Sequence, residues 1–232
     1  MARYIEYSAP SANSAIDQTR VCKGQLITAG VPLKLNGNWA DLAAGTVSLK
    51  RRGAARTLYI HPVFTDLTGV NFTIKGFQNN VLISEQVAGS DDKVETTQAY
   101  DEIISITPDT ATEIKAVDVG LGEKGFFTLE IDTKNQESVD YALTIINNQK
   151  DKLKNVKIYT SLDQDILYSY QDQLGHITAN TRVSDLYQYD SVNNVEYNGW
   201  TSNDIGLTKF IIVYFEIDHT ADSLTTLRFL QK

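Results

Sequence analysis

The sequence predicts an all-β protein, an antiparallel β-sandwich made of two β-domains behind an extended N-terminal arm. Three observations carry this. Apolar and polar residues alternate strictly in several segments, the period of a half-buried strand. Clusters of Gly, Asn, Asp and Ser break these segments at intervals of about 10 residues, the spacing of a many-stranded sandwich. Helical periodicity is confined to one segment, 163–174, where a short helix is expected.

Residues 1–20 are small and polar around Ser8, Pro10, Ser11 and Ser14 and read as an extended arm. The arm either frays or orders against a neighbouring subunit through Tyr4, Ile5 and Tyr7. The first β-domain spans 21–134. Asn36-Gly37 marks a turn, and Gly30, Gly45 and Gly53 punctuate the approach to the clean alternation that begins at Leu58. Val70, Phe72 and Ile74 share one strand face, with Asn71, Thr73 and Lys75 on the other. A hairpin partner is expected at 81–85 across the connection 77–80. Further strands are expected at 99–107, 113–119 and 125–132, with Gly120-Leu121-Gly122 as a turn between the last two. The second β-rich domain, 135–232, carries strands through Val139–Ile145, 156–159 and 209–218. The last of these is apolar on both faces, so both should be covered. Residues 223–231 follow a short turn and are expected to close a hairpin on it.

The chain has 232 residues, 42% hydrophobic and 22% charged, a composition that supports a packed core. A net charge of -8 gives no counterion-release gain on a phosphate backbone, so direct nucleic-acid binding is not expected. Lys50-Arg51-Arg52, with Arg56 nearby, reads either as a solvated loop or as a contact patch for an acidic partner. Cys22 is the one cysteine, so no intrachain disulfide or cysteine metal cluster is expected. The first 20 residues lack the apolar core of a secretory signal, and no run of about 18 apolar residues occurs. A soluble protein without a membrane span is the expectation.

Residues able to do chemistry are sparse. His61, His176 and His219 lie far apart and in no zinc-binding spacing. No nucleophile elbow, phosphate-binding loop or dinucleotide fingerprint occurs. Asp91-Asp92 and Asp163-Gln164-Asp165 are the close carboxylate pairs, and the second lacks the Gly and terminal Glu of a calcium loop. No catalytic, cofactor-binding or metal-binding residue is therefore assigned, and neither an enzyme nor a cofactor is expected. Aromatic residues are different. Half of the twelve tyrosines fall between Tyr159 and Tyr197, in polar surroundings. Tyr168, Tyr170, Tyr187, Tyr189 and Trp200 read as Tyr-rich loops that form a subunit interface, stack on a glycan, or cap the second core.

The phrases GVPLKLNG, RTLYIHPV, DLTGVNFTIKG, VETTQAY and EIISIT, between Gly30 and Gly122, resemble a family of small tailed-bacteriophage virion proteins. Gly69, Phe72, Ile74, Gly76, Gly89, Tyr100, Ile104 and Ile106 carry that resemblance over about 40% of the chain. It implies a head decoration (cement), neck or tail component, assembled in the host cytoplasm. Such a component acts through contacts with capsid, neck or tail subunits and with copies of itself. Two departures stand out: Gln78-Asn79-Asn80 replaces the D-x-x-G turn usual in the hairpin, and about 110 residues follow the matched region. The alternative from another class is a receptor- or carbohydrate-binding module of a phage tail, using the aromatic loops.

Overall fold

A computed structural model of the chain describes residues 17–49, 54–110 and 114–130, and beyond these the strands at 5–8, 12–13, 140–147, 153–161, 181–182, 188–189, 194–201, 210–217 and 224–231. Among the described residues every regular element is a strand, and every pairing is antiparallel. The first half holds β1 (Ile5–Ser8), β2 (Ala12–Asn13), β3 (Asp17–Leu26), β4 (Ala40–Asp41), β5 (Thr46–Ser48), β6 (Ala55–Pro62), β7 (Asn71–Gln78), β8 (Val81–Ala88), β9 (Val94–Glu95), β10 (Glu102–Pro108) and β11 (Ala116–Glu130). The second holds β12 (Asp140–Asn147), β13 (Leu153–Ser161), β14 (Thr181–Arg182), β15 (Gln188–Tyr189), β16 (Asn194–Thr201), β17 (Phe210–Ile217) and β18 (Leu224–Gln231).

Two of the sheets make the sandwich. One runs β4-β5-β10-β7-β8; the other contains β6, β9, β3 and β11 and continues through β17 to β13, β14 and β15. Phe72, Ile74, Ile103 and Ile106 from the first sheet and Leu58, Ile60, Val117 and Val119 from the second bury against one another in a single apolar core. The period-2 reading of β7 holds, since Phe72 and Ile74 are fully buried while Thr73 and Lys75 face outward. At one corner the sheets are tied directly, because Arg56 and Tyr100 exchange backbone hydrogen bonds of 3.1 and 2.9 Å. Hydrophobic burial by both sheets is what makes this pairing of layers stable.

Several local expectations change. The β7–β8 connection is tighter than the segment 77–80: Gln78 pairs with Val81, leaving Asn79-Asn80 as a two-residue turn. Their φ values of 48° and 66° are those of a type I′ turn, whose twist matches the flanking strands and which asparagine tolerates better than most residues. Residues 113–132 do not form two strands around a glycine turn. Gly120, Leu121 and Gly122 lie inside the 15-residue β11, where a bulge between Leu121 and Gly125 absorbs the irregularity. A Cβ on Gly122 would lie 2.4 Å from Thr57 Oγ1 and 2.5 Å from Glu95 Oε1, so the strand can pass only as glycine.

Arg56 is not part of a solvated basic patch. It is 1% exposed within β6, and its Nη2 donates to the Gly122 carbonyl. Lys50, Arg51 and Arg52 lie outside the described residues.

The segment 223–231 does not close a hairpin on 209–218. β17 already has β11 along one side and β13 along the other, so neither edge is free to receive β18. β18 instead joins a third sheet ordered β1-β18-β12-β16, where β12 lies beside it and β1 and β2 of the N-terminal arm also pair with it. The expected helix at 163–174 lies outside the described residues.

Candidate interaction surface

The polar groups buried in the sandwich hold loops. Glu85, on β8, accepts from Thr97 N–H (2.6 Å), Thr97 Oγ1 (2.7 Å), Gln98 N–H (3.1 Å) and the Tyr100 hydroxyl (3.1 Å), so one carboxylate fastens the whole turn leading to β10. Glu95 does the same for the β11 bulge. Its Oε1 accepts from Thr57 Oγ1 (2.5 Å), Glu123 N–H (2.7 Å) and Lys124 N–H (3.2 Å), and Lys124 Nζ stands 3.8 Å from its Oε2. Carboxylates that accept several N–H groups serve as loop anchors, since each bond fixes an otherwise unpaired backbone donor. Beside the second anchor, Tyr59 donates to Glu123 Oε1 at 2.5 Å and carries the Lys93 ammonium 4.4 Å above its ring.

The buried Cys22 thiol and Tyr100 phenol are held neutral. Burial, with Asp118 as a secondary cause, pushes the Cys22 thiol up to about 12, which makes it a poor nucleophile. Tyr100 is raised well above the ordinary phenol range, first by burial and then by the Glu85 charge and its hydrogen bond. Of the histidines, His61 lies on β6 with Nδ1 2.7 Å from the Pro62 carbonyl oxygen, and His176 and His219 fall outside the described residues. Asp91 and Asp92 are exposed in a turn, and Asp163 and Asp165 fall outside the described residues. Among the described residues no group of three His, Cys, Asp or Glu side chains is placed to hold a metal. A pocket of about 220 Å³ lies beside the turn of the β7–β8 hairpin, lined by Ser48, Phe77, Asn80, Asp101 and Glu102. It is smaller than the usual range for ligand sites.

The outer surface offers more to a partner than any cavity. Leu26, at the end of β3, pairs with Ala116 at the start of β11, whose carbonyl also accepts the Val63 N–H. This junction places Leu26, Phe64 and Ile114 at one end of the sandwich, and they are 67%, 90% and 83% exposed. Large apolar side chains left exposed at one end of a sandwich are available to a partner. Sequence reasoning missed them because none lies in a motif. Isolated apolar residues in loops give no periodic signal.

The aromatic residues singled out in the sequence are spread over different elements. Ile5 and Tyr7 lie on β1, opposite Gln231 and Phe229 of β18. Tyr189 lies on β15, opposite Val156, in the eight-stranded sheet, whereas Trp200 lies on β16, opposite Tyr141, in the third sheet. Tyr159 and Tyr197 are also on strands, β13 and β16. Tyr189, Tyr197 and Trp200 therefore occupy strands where loops were expected, while Tyr159 lies on the strand expected there. Tyr4, Tyr168, Tyr170 and Tyr187 lie outside the described residues.

No helix among the described residues is long and apolar enough to cross a membrane. No protein-family model matches the chain, and no curated protein does. Among solved structures, the exported protein XepA of PBSX aligns over 96% of this chain and 86% of its own, with 10% identity and a TM-score of 0.21. A structure of infectious bursal disease virus, Gx strain, aligns over 98% of this chain and 70% of its own, with 9% identity and a TM-score of 0.18. Scores of that size define neither a common fold nor a common function.

Proposed function

We propose that the chain is a structural component of a tailed-bacteriophage virion, a head decoration or a neck or tail ring subunit, which works by assembly and catalyses nothing. The observation that supports this most is how the residues of the virion-protein resemblance behave in the fold. Gly69 adopts φ 83°, Phe72, Ile74, Tyr100 and Ile106 are buried, and Gly76 packs beneath Tyr100. Most of the shared residues thus shape the fold, and none of them supplies a reactive group.

Assembly also suits the exposed apolar end at Leu26, Phe64 and Ile114, which a neighbouring capsid, neck or tail subunit would cover. In a symmetric particle, modest contacts of this kind are multiplied by copy number. The protein would be assembled in the host cytoplasm and reside in the virion, without touching DNA or membrane.

Immunogold electron microscopy with an antibody against this chain tests the reading. Labelled heads, necks or tails are expected, and particles that carry none of the chain would sink it. A glycan array on the purified protein addresses the carbohydrate-binding alternative. Specific binding lost in Tyr187→Ala or Trp200→Ala would favour that alternative over the structural role.

A further inference from the structure

The strand β8 ends its sheet. It pairs with β7 through eight consecutive partners without a register shift, from Gln78↔Val81 to Asn71↔Ala88, and with no other described strand. In a hairpin with a two-residue turn, the residues flanking the turn exchange both backbone hydrogen bonds, and bonded and non-bonded pairs then alternate. Val81, Ile83, Glu85 and Val87 therefore spend their backbone groups on β7. Leu82, Ser84, Gln86 and Ala88 turn theirs to the open edge, and the side chains of these same four residues are exposed.

Natural edge strands are protected by shortness, by lysine or proline, or by a bulge. β8 has none of these. It runs for eight residues without Lys, Arg, Pro or Gly, and its one charge, Glu85, is committed to the turn at Thr97 and Gln98. An unprotected edge of this length is a template for strand addition.

We propose that β8 pairs antiparallel with β8 of a second copy of this chain, about a two-fold axis through Ser84, joining two sandwiches into one continuous sheet. The inference rests on the self-assembly reading above and names its surface. The register follows from the strand itself. With Ser84 opposite its own counterpart, Leu82 meets Gln86, the outward backbone groups of both strands meet as bonded pairs, and the exposed faces stay on the same side.

Charge does not oppose a second copy at this edge. The chain carries a net charge of -8, so two copies repel over most of their surfaces, yet Leu82, Ser84, Gln86 and Ala88 are neutral. In this register Glu85 faces Ile83 and not the other Glu85. Lys75, the neighbour of Ser84 on β7, would stand three strand spacings from its counterpart, about 14 Å and beyond the screening length.

The test uses the full chain. A bonded antiparallel pair holds its Cα atoms about 5.5 Å apart, within disulfide range. Ser84→Cys should therefore cross-link to dimers under mild oxidation, whereas Leu82→Cys, which faces Gln86, should not. The native Cys22 is fully buried and does not compete. Ser84→Pro removes an N–H that β7 does not use and should convert dimer to monomer in light scattering without lowering Tm.

Equal cross-linking by the two cysteine variants, or a dimer that survives Ser84→Pro, overturns the proposal. Should Ser84→Pro fail to fold, the cysteine pair decides alone. Cross-linking is read both in the purified chain and in particles. A chain present in particles but never cross-linked sinks the pairing and leaves the virion reading standing. A chain that cross-links but is absent from particles does the reverse.

Discussion

Tyr100 lies across the bare α-carbon of Gly76: a Cβ built there would stand 2.7 Å from the ring's Cδ1 and 2.2 Å from the Glu102 carbonyl oxygen. Glycine in a strand interior forfeits side-chain packing, and an aromatic ring laid over it restores the buried area. The ring is held from its far end by Glu85, which accepts the hydroxyl proton. The glycine and the aromatic of the virion-protein resemblance, 24 residues apart in sequence, are therefore one packing unit.

Gly76→Ala should be severely destabilising. The ring could shift to relieve one clash, but the Glu102 carbonyl belongs to the paired strand β10 and cannot move without breaking its ladder. The cost should reach or exceed about 3 kcal/mol, the upper end for overpacking a core. Denaturant melts of Gly76→Ala and Gly76→Ser measure it. A loss below about 1 kcal/mol would show that Tyr100 does not rest on Gly76.

Phe72 tests the register of the same strand. It is fully buried between Val87 of β8 and Pro108 of β10. Phe72→Ala should cost about 3–5 kcal/mol, the range for emptying a buried aromatic site. Thr73→Ala, one residue along and on the outer face, should change stability by less than about 0.5 kcal/mol. Equal effects at the two positions would mean that the strand is not two-faced.

The Asn79-Asn80 turn predicts a gain. Both residues hold positive φ, which costs an L-residue other than glycine about 1 kcal/mol. Asn79 is buried whereas Asn80 is exposed, so Asn80 is the position to change. Asn80→Gly should stabilise the hairpin by roughly 0.5–1 kcal/mol, since Asn-Gly is the preferred type I′ pair. A lower melting temperature in Asn80→Gly would mean that the Asn80 side chain contributes more than its backbone strain costs.

Where strands alternate cleanly the fold was legible in the sequence, as for Phe72 and Ile74 on β7 and the strand after Val139. It was not legible where a long-range contact overrides a local signal. Gly120 and Gly122 look like turn residues, yet both lie inside β11, and at Gly122 Thr57 and Glu95, far away in sequence, occupy the space a side chain would need. Arg56 follows a basic run and reads as surface, yet Gly122 gives its guanidinium a buried acceptor. Residues 223–231 follow β17 so closely that a hairpin is the natural expectation, but occupancy of both β17 edges is a property of the whole sheet. The apolar end at Leu26, Phe64 and Ile114 was hidden for a related reason: its members come together only through the β3–β11 and β6–β11 pairings.

Alkaline pH should separate two tyrosines from the rest. Tyr59 is raised well above its ordinary value of 10.0, first by burial, then by its hydrogen bond to Glu123 and the charges of Glu95, Glu123 and Asp92. Tyr100 is raised in the same direction by burial and Glu85. For a group whose folded value lies above its unfolded one, the stabilising contribution is fully present below the unfolded value. It is lost as pH rises through and beyond that value, because the unfolded chain then releases a proton that the folded chain retains. Stability should accordingly hold up to about pH 10 and fall above it, and the fall should be shallower in Tyr100→Phe, which has no proton to lose at that position. Tyrosinate absorbance followed alongside near-ultraviolet circular dichroism checks this directly. The signal of Tyr59 and Tyr100, isolated by difference from the double Phe variant, should appear only as the tertiary spectrum collapses. If it rises near pH 10 while that spectrum is intact, the two hydroxyls are open to solvent and their hydrogen bonds to Glu85 and Glu123 do not hold them.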